Sequence, residues 1–363
     1  MSSLFRRRPD RPIALATVTH TKLLIVCMTA TLTGCMVGPN YKRPAVASPP
    51  QFRAGEPQPA AASLGDAKWF DIFQDDALRD LIKQALDANY DIRIAAQRVL
   101  QAEGQLQATR SALFPQINGT GNAGRAGLQS PIQSSGVIGL GAVWELDFFG
   151  KLRRASEAAR ADMLAADENK KVVMQTLVAQ VATAYFNLLD YDAELVFVRE
   201  SITARRESAK LVTTRLEGGV SNRVELDQAK TLVSTAETSA VLLEEAQEQT
   251  ENLINFLIGK DPGPVKRGNV LMDQKQPPEV PAGLPSSLLE RRPDLKEAEQ
   301  QLVAANARVG VAKAAFYPSI NLTAAGGYGS SDLLGIANRS GFAYTVGGFL
   351  DVPIFDAGRR TGN

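Results

Sequence analysis

Along most of this chain apolar residues return every three or four positions. In four short stretches they return every second position instead. The clearest alternation places Ile138, Leu140, Ala142, Trp144 and Leu146 on one face, with Gly139, Gly141, Val143, Glu145 and Asp147 on the other. Farther on, Ile320, Leu322, Ala324 and Tyr328 alternate with Asn321, Thr323 and Ala325. Phe342, Tyr344, Val346, Leu350 and Val352 alternate with Thr345, Gly347 and Asp351. A weaker, glycine-rich candidate covers 116–128. Period two over about 10 residues predicts strands with one apolar face. Two structures satisfy that pattern. One is a soluble ribbon with a single buried face. The other is a set of transmembrane strands, each about 9–11 residues long, apolar toward lipid and polar toward a lumen. Four strands cannot close a barrel alone, and lipid does not tolerate open sheet edges. The membrane alternative therefore requires several chains to share one barrel.

The helical stretches are long. From Leu152 to Leu216 some 65 residues pass without proline or glycine. At 1.5 Å per residue such a helix reaches ~98 Å, well beyond the usual globular length. Glu217-Gly218-Gly219-Val220-Ser221 breaks it, with glycines suited to a helix C-terminus. Ser221 is the expected cap of a second helix running to about Ile258. Val224, Leu226, Ala229, Val233 and Ala236 give that helix an apolar stripe, continued by Leu243, Ala246, Leu253 and Leu257. An isolated antiparallel coiled coil and a wall element of a helical tube both fit.

The pattern also repeats. Residues 91–118 align without gaps on 294–321 at an offset of 203, with eight of 28 positions identical. Asp91/Asp294, Ala95/Ala298, Gln97/Gln300, Pro115/Pro318 and Asn118/Asn321 are among them, and Phe114/Tyr317 match in kind. A second block, 144–154 on 350–360, follows at an offset of 206 and pairs Phe149 with Phe355 and both arginines with arginines. In each copy a helix with apolar positions at Val99, Ala102, Leu106 and Leu113, or their equivalents, is stopped by proline. The reading is a two-fold structural repeat.

The N-terminus reads as an export signal. Arg6, Arg7, Arg8 and Arg11 precede an apolar run from Leu23 to Leu32, which suits a signal-peptide core and is too short to span a bilayer. Leu32-Thr33-Gly34-Cys35 closes it with small residues before a cysteine. Cleavage there leaves 329 of the 363 residues, with 35 basic and 38 acidic side chains, no histidine and one cysteine. That inventory excludes an internal disulfide, a histidine triad, a histidine or cysteine zinc site and a cysteine nucleophile. No basic excess exists for a polyanion, so nucleic acid is not an expected partner. No cofactor is expected. Prolines 39, 44, 49, 50, 57 and 59 predict a poorly ordered tether, with order beginning near Trp69.

Together these residues resemble the outer-membrane efflux channels of the TolC superfamily, in particular the OprM/NodT lipoprotein branch. The matching pieces are the lipobox followed by Met36-Val-Gly-Pro-Asn-Tyr-Lys-Arg-Pro44, Trp69-Phe-Asp-Ile-Phe73, Trp144-Glu-Leu-Asp-Phe-Phe-Gly150, Thr214–Ser221, Leu289-Glu-Arg-Arg-Pro-Asp294 and Pro353–Arg359. The resemblance implies an α+β membrane protein. It implies a homotrimer sharing a 12-stranded barrel, four strands from each chain, above a periplasmic helical tunnel. It implies acylation of Cys35, and Met36 in place of an aspartate points to the outer membrane. The implied partners are outer-membrane lipid, a periplasmic adaptor (membrane fusion) protein and an inner-membrane pump of the resistance-nodulation-division type. The implied cargo is drugs, solvents or other small toxic molecules.

The expected division is 1–34 signal, 35–68 tether, 69–260 first repeat, 261–283 linker and 284–363 second repeat. Only three residues follow Arg360, whereas the resemblance implies a second hairpin in the second repeat, so a C-terminally truncated member is expected, with a non-functional or leaky paralogue as the alternative to a working conduit. Arg215, Gly218, Gly219, Val220 and Ser221 match the family's adaptor-contacting tip, and equally a plain helical corner. Glu145, Asp147 and Asp351 are candidates for the lumen, with surface solvation as the alternative. Trp144, Tyr328 and Tyr344 suit interfacial girdles or a core. Against the conduit stand a lipid-anchored periplasmic coiled coil and a carboxylate enzyme, neither favoured by the alternation of 342–352 or by any acidic pair.

Overall fold

A computed structural model describes residues 36–44, 69–126, 133–275, 291–330 and 341–362. The export signal, Cys35 and most of the proline-rich segment lie outside these residues. In chain order the elements are α1 (Trp69–Ile72), α2 (Asp76–Ala88), α3 (Tyr90–Ser111), β1 (Gln116–Ala126), β2 (Gln133–Leu146), α4 (Lys151–Glu217), α5 (Arg223–Leu257), α6 (Pro293–Ala314), β3 (Ser319–Ser330), β4 (Phe342–Asp351) and α7 (Arg359–Gly362), with a short 3-10 turn at Leu271–Asp273. They divide into two compact units: Met1–Pro44 with Ala102–Met163 and Gln300–Asn363, and Ala45–Gln101 with Leu164–Glu299.

The first unit is built on one antiparallel sheet in the order β1-β2-β3-β4. Its register joins the two repeats directly, since β2 of the first pairs with β3 of the second, Trp144 opposite Leu322 and Ile138 opposite Tyr328. All four stretches of alternation are strands, including the weak one. Beneath the sheet, Trp144 Nε1 donates to the Leu113 carbonyl at 3.0 Å, and Phe149 stacks on Tyr317 with ring centroids 4.7 Å apart.

The second unit has a conventional core. Leu78 and Ile82 of α2 pack with Val181, Tyr185 and Leu188 of α4 and Ile254 of α5, all fully buried. By length and composition α4 contains a stretch able to cross a membrane, yet Leu177, Val181, Tyr185 and Leu188 are centres of this core. Farther along, α4 and α5 form an antiparallel hairpin. Ile202 packs on Ala236 and Ala240, and Arg199–Glu244 (2.9 Å) and Arg206–Glu237 (2.6 Å) bridge the helices. These pairs are exposed and contribute at most about 1 kcal/mol each, so they set register more than stability. The buried line on α5 is Leu226, Ala236, Ala240, Ile254 and Leu257. Val224 and Leu253, expected in that stripe, are exposed. A straight helix drifts off any strict short repeat along its length.

One expectation fails clearly. Residues 36–44 are not a loose tether. They belong to the first unit and, without forming helix or strand, are held in it through contacts that begin at Met36.

Candidate channel wall and contact sites

Register and pleat assign every strand residue to a face. One face carries Ile117, Ile138, Leu140, Ala142, Trp144, Leu146, Ile320, Leu322, Ala324, Tyr328, Phe342, Tyr344, Val346 and Leu350. Between Leu146 at one end and Tyr328 at the other this face is apolar, with Ser330 beyond it, and much of it is bare: Tyr344 is 76% and Val346 77% exposed. The opposite face carries Asn118, Thr120, Asn122, Glu145, Asn321, Thr323, Thr345 and Asp351 among glycines and alanines; Val137, Val143 and Phe349 are its large apolar members. Water does not stabilise the first face, and lipid does not tolerate the second. Tyr328, Phe342 and Tyr344 cluster toward one end, with centroids 5.3 and 6.4 Å apart. Trp144 lies six residues along β2 from the partner of Tyr328, about 20 Å away at strand rise. Aromatic rings thus stand toward both ends of the apolar face.

The three candidate lumen carboxylates come together. Glu145, Asp147 and Asp351 line one cleft at the polar face's helical end, with Lys151 and Arg360. They are not equivalent. Glu145 pairs with Lys151 at 2.9 Å. Asp147 accepts from the backbone N–H groups of Leu152 and Arg153 and pairs with the Arg153 guanidinium at 3.1 Å, so it caps α4 where the helix dipole favours an anion. Among the described residues Asp351 forms no ion pair.

Nothing in the local pattern marked Arg154, which is 1% exposed. Its guanidinium donates to the carbonyls of Val37 and Gly38, to Asn40 Oδ1 at 2.7 Å and to Glu157 at 2.7 Å. Val37 N–H donates to the Phe149 carbonyl, and Asn306 Nδ2 to the Pro39 carbonyl. Glycine makes this fit possible. Gly38 has φ +100°, and a Cβ there would stand 2.5 Å from Gly310 Cα.

In the second unit Asp75 is a buried hub. Its Oδ1 caps α2, accepting from Ala77 and Leu78 N–H. Its Oδ2 accepts from Tyr185 Oη (3.0 Å), Asn269 N (3.0 Å) and Gln274 Nε2 (2.7 Å). Burial pushes the carboxyl up, but the hydrogen bonds from Gln274, Tyr185, Asn269 and Leu78 outweigh it and leave the pKa lowered. Burial, with Asp75 adding to it, pushes Tyr185 up to about 12, so Tyr185 stays a donor. Nearby, Arg267 bridges Asp192 at 3.0 Å and Glu251. Burial works against its charge, and the two carboxylates raise its pKa nonetheless.

The hairpin tip is built by backbone chemistry. Val220 N–H bonds the Arg215 carbonyl and Gly219 N–H the Leu216 carbonyl, the paired bonds of a Schellman ending, with Gly219 at φ +73°. Asn222, not Ser221, is the cap of α5. Its Oδ1 accepts from Glu225 N–H at 2.9 Å, while Ser221 Oγ donates to the Glu225 carboxylate. Arg215 and Gly218 are exposed, and Val220 is 77% exposed.

A sheet with an exposed apolar face opposite a polar one, continued in the chain by a long helical hairpin, fits a component of a membrane channel. The comparisons agree. The family model described as "Outer membrane efflux protein" matches residues 81–260 and 284–363. Cation efflux system protein CusC of Escherichia coli strain K12 is 36% identical over 347 residues, covering 94% of this chain and 76% of CusC. Toluene efflux pump outer membrane protein TtgI of Pseudomonas putida is 35% identical over 348 residues, covering 92% of this chain and 73% of TtgI. The open-state crystal structure of the Neisseria gonorrhoeae MtrE outer membrane channel superposes with a TM-score of 0.79 at 31% identity, covering 90% of this chain and 74% of MtrE. The chain belongs to the outer membrane efflux protein family.

Proposed function

We propose that this chain forms a passive outer-membrane conduit of a tripartite efflux pump, carrying small toxic compounds from periplasm to exterior. The sheet carries the reading. An exposed apolar face opposite a polar one suits lipid on one side and water on the other. Its two open edges need partners. Three copies of a four-stranded sheet supply them in one 12-stranded barrel. Acylation at Cys35 adds a lipid anchor. The tip residues Arg215, Gly218, Gly219, Val220 and Ser221 meet a periplasmic adaptor, and a resistance-nodulation-division pump supplies the energy, so no catalytic residue or cofactor enters. Glu145 and Asp351 face the lumen, and Asp351 carries the less compensated charge.

Cargo is set elsewhere in the assembly. One relative is named for cations and another for toluene, chemistries that no single wall selects. The test is conductance of the purified mature protein in planar bilayers. Discrete ohmic steps are expected; inserted oligomers that pass no current would defeat the reading.

A further inference from the structure

The internal repeat predicts how one copy meets the next. Within the chain the two repeats join where β2 pairs with β3. There Glu145 lies opposite Asn321 and Leu146 opposite Ile320, and Phe149 stacks on Tyr317. The offsets of 206 and 203 carry these residues onto a second set. Glu145 becomes Asp351, Leu146 becomes Val352 and Phe149 becomes Phe355. Asn321 becomes Asn118, Ile320 becomes Ile117 and Tyr317 becomes Phe114. Every member keeps its chemical type: acid, amide, aliphatic, aromatic.

Inside one chain this second set cannot meet, because β1 and β4 are the opposite edges of the sheet. Its apolar members are left bare: Phe355 is 89% exposed, Phe114 66% and Ile117 70%. We infer that β4 of one copy pairs antiparallel with β1 of a second copy in the register Asp351 opposite Asn118 and Val352 opposite Ile117, and that Phe355 stacks on the second copy's Phe114. The register passes an independent check. It places Val352 and Ile117 on the apolar face and Asp351 and Asn118 on the polar face, in keeping with the rest of the sheet, whereas a slip of one residue would reverse every side chain. Offset aromatic stacking and cross-strand pairs supply the specificity.

The inference rests on the shared-barrel reading and adds the register. It is tested by cysteine pairs in the full chain. Asp351→Cys is combined with Asn118→Cys, and separately with Gln116→Cys or Thr120→Cys, two-residue slips that keep the faces. Three strand spacings, about 14 Å, separate these edges within a chain, beyond the ~7 Å Cα limit of a disulfide. Any bond formed therefore joins two copies. Mild oxidation should give a non-reduced oligomer ladder several-fold stronger for 351/118 than for either slipped pair. Phe355→Ala should weaken the assembly several-fold, and Phe355→Tyr should restore it. A stronger ladder from a slipped pair, or none from protein that sizes as an oligomer, overturns the register while the shared barrel stands. A monomer overturns both.

Discussion

Arg154 Nη2 donates to Asn40 Oδ1 at 2.7 Å, joining residues 114 positions apart. This bond fixes the segment that follows Cys35. Asn40→Ala removes one acceptor of a buried cation and should cost about 1–2 kcal/mol. Gly38→Ala should cost more, since φ +100° and the Gly310 backbone leave no room. Both variants should speed tryptic cleavage after Lys42, an exposed residue on the segment the clamp holds still, in membrane-embedded protein. Unchanged cleavage would show that the clamp does not hold the segment.

Asp75 should make the second unit acid-sensitive. Its folded pKa is depressed, so its stabilisation is complete above the ordinary value of ~3.9 and is lost as pH falls through the folded value. Asp75→Asn cannot accept the same five donors and should lose about 2–3 kcal/mol. Chemical unfolding from pH 2 to 6 should show a steep acid limb in the parent and a flatter one in the variant.

At the hairpin tip, Gly219→Ala should cost about 1 kcal/mol through its positive φ, and Asn222→Ala about 1 kcal/mol as a lost cap. Both should raise amide exchange across 214–226 without altering the rest of the chain. Val220→Asp should leave the fold intact and weaken adaptor binding, measured by co-purification. If only the two fold-disrupting variants lose the adaptor, the Val220 side chain is not a contact.

Asp351→Asn should reduce cation over anion preference in bilayer recordings more than Glu145→Gln, because Lys151 already offsets Glu145. Equal reversal-potential shifts would contradict that ranking. Asp147→Asn should act on stability instead, through the lost α4 cap, by about 1 kcal/mol.

What the sequence shows well is what periodicity encodes. The strands, the hairpin and the repeat all appear as spacing, and even the glycine-rich β1 begins at Gln116 as expected. Contacts between distant segments leave no such trace. Arg154 looks like any helical arginine until Gly38, Asn40 and Gly310 surround it. Asp75 resembles an ordinary cap, yet Asn269 and Gln274 reach it from nearly 200 residues away. Pro39 and Pro44 suggest looseness because composition says nothing of the hydrogen-bond partners that Phe149, Arg154 and Asn306 supply from elsewhere in the chain. The α5 cap fell one residue late because serine and asparagine are both good caps, and only geometry chooses between them.

The glycines of the polar face have one more consequence. A Cβ on Gly327 would meet the Ile138 carbonyl oxygen at 2.4 Å, and one on Gly139 the Gly326 oxygen at 2.9 Å. The backbones of β2 and β3 touch there, with no side chain between them and little projecting inward. In the proposed channel that stretch of wall would be bare backbone, and its chemical grip would sit instead at the helical end, where Glu145 and Asp351 stand.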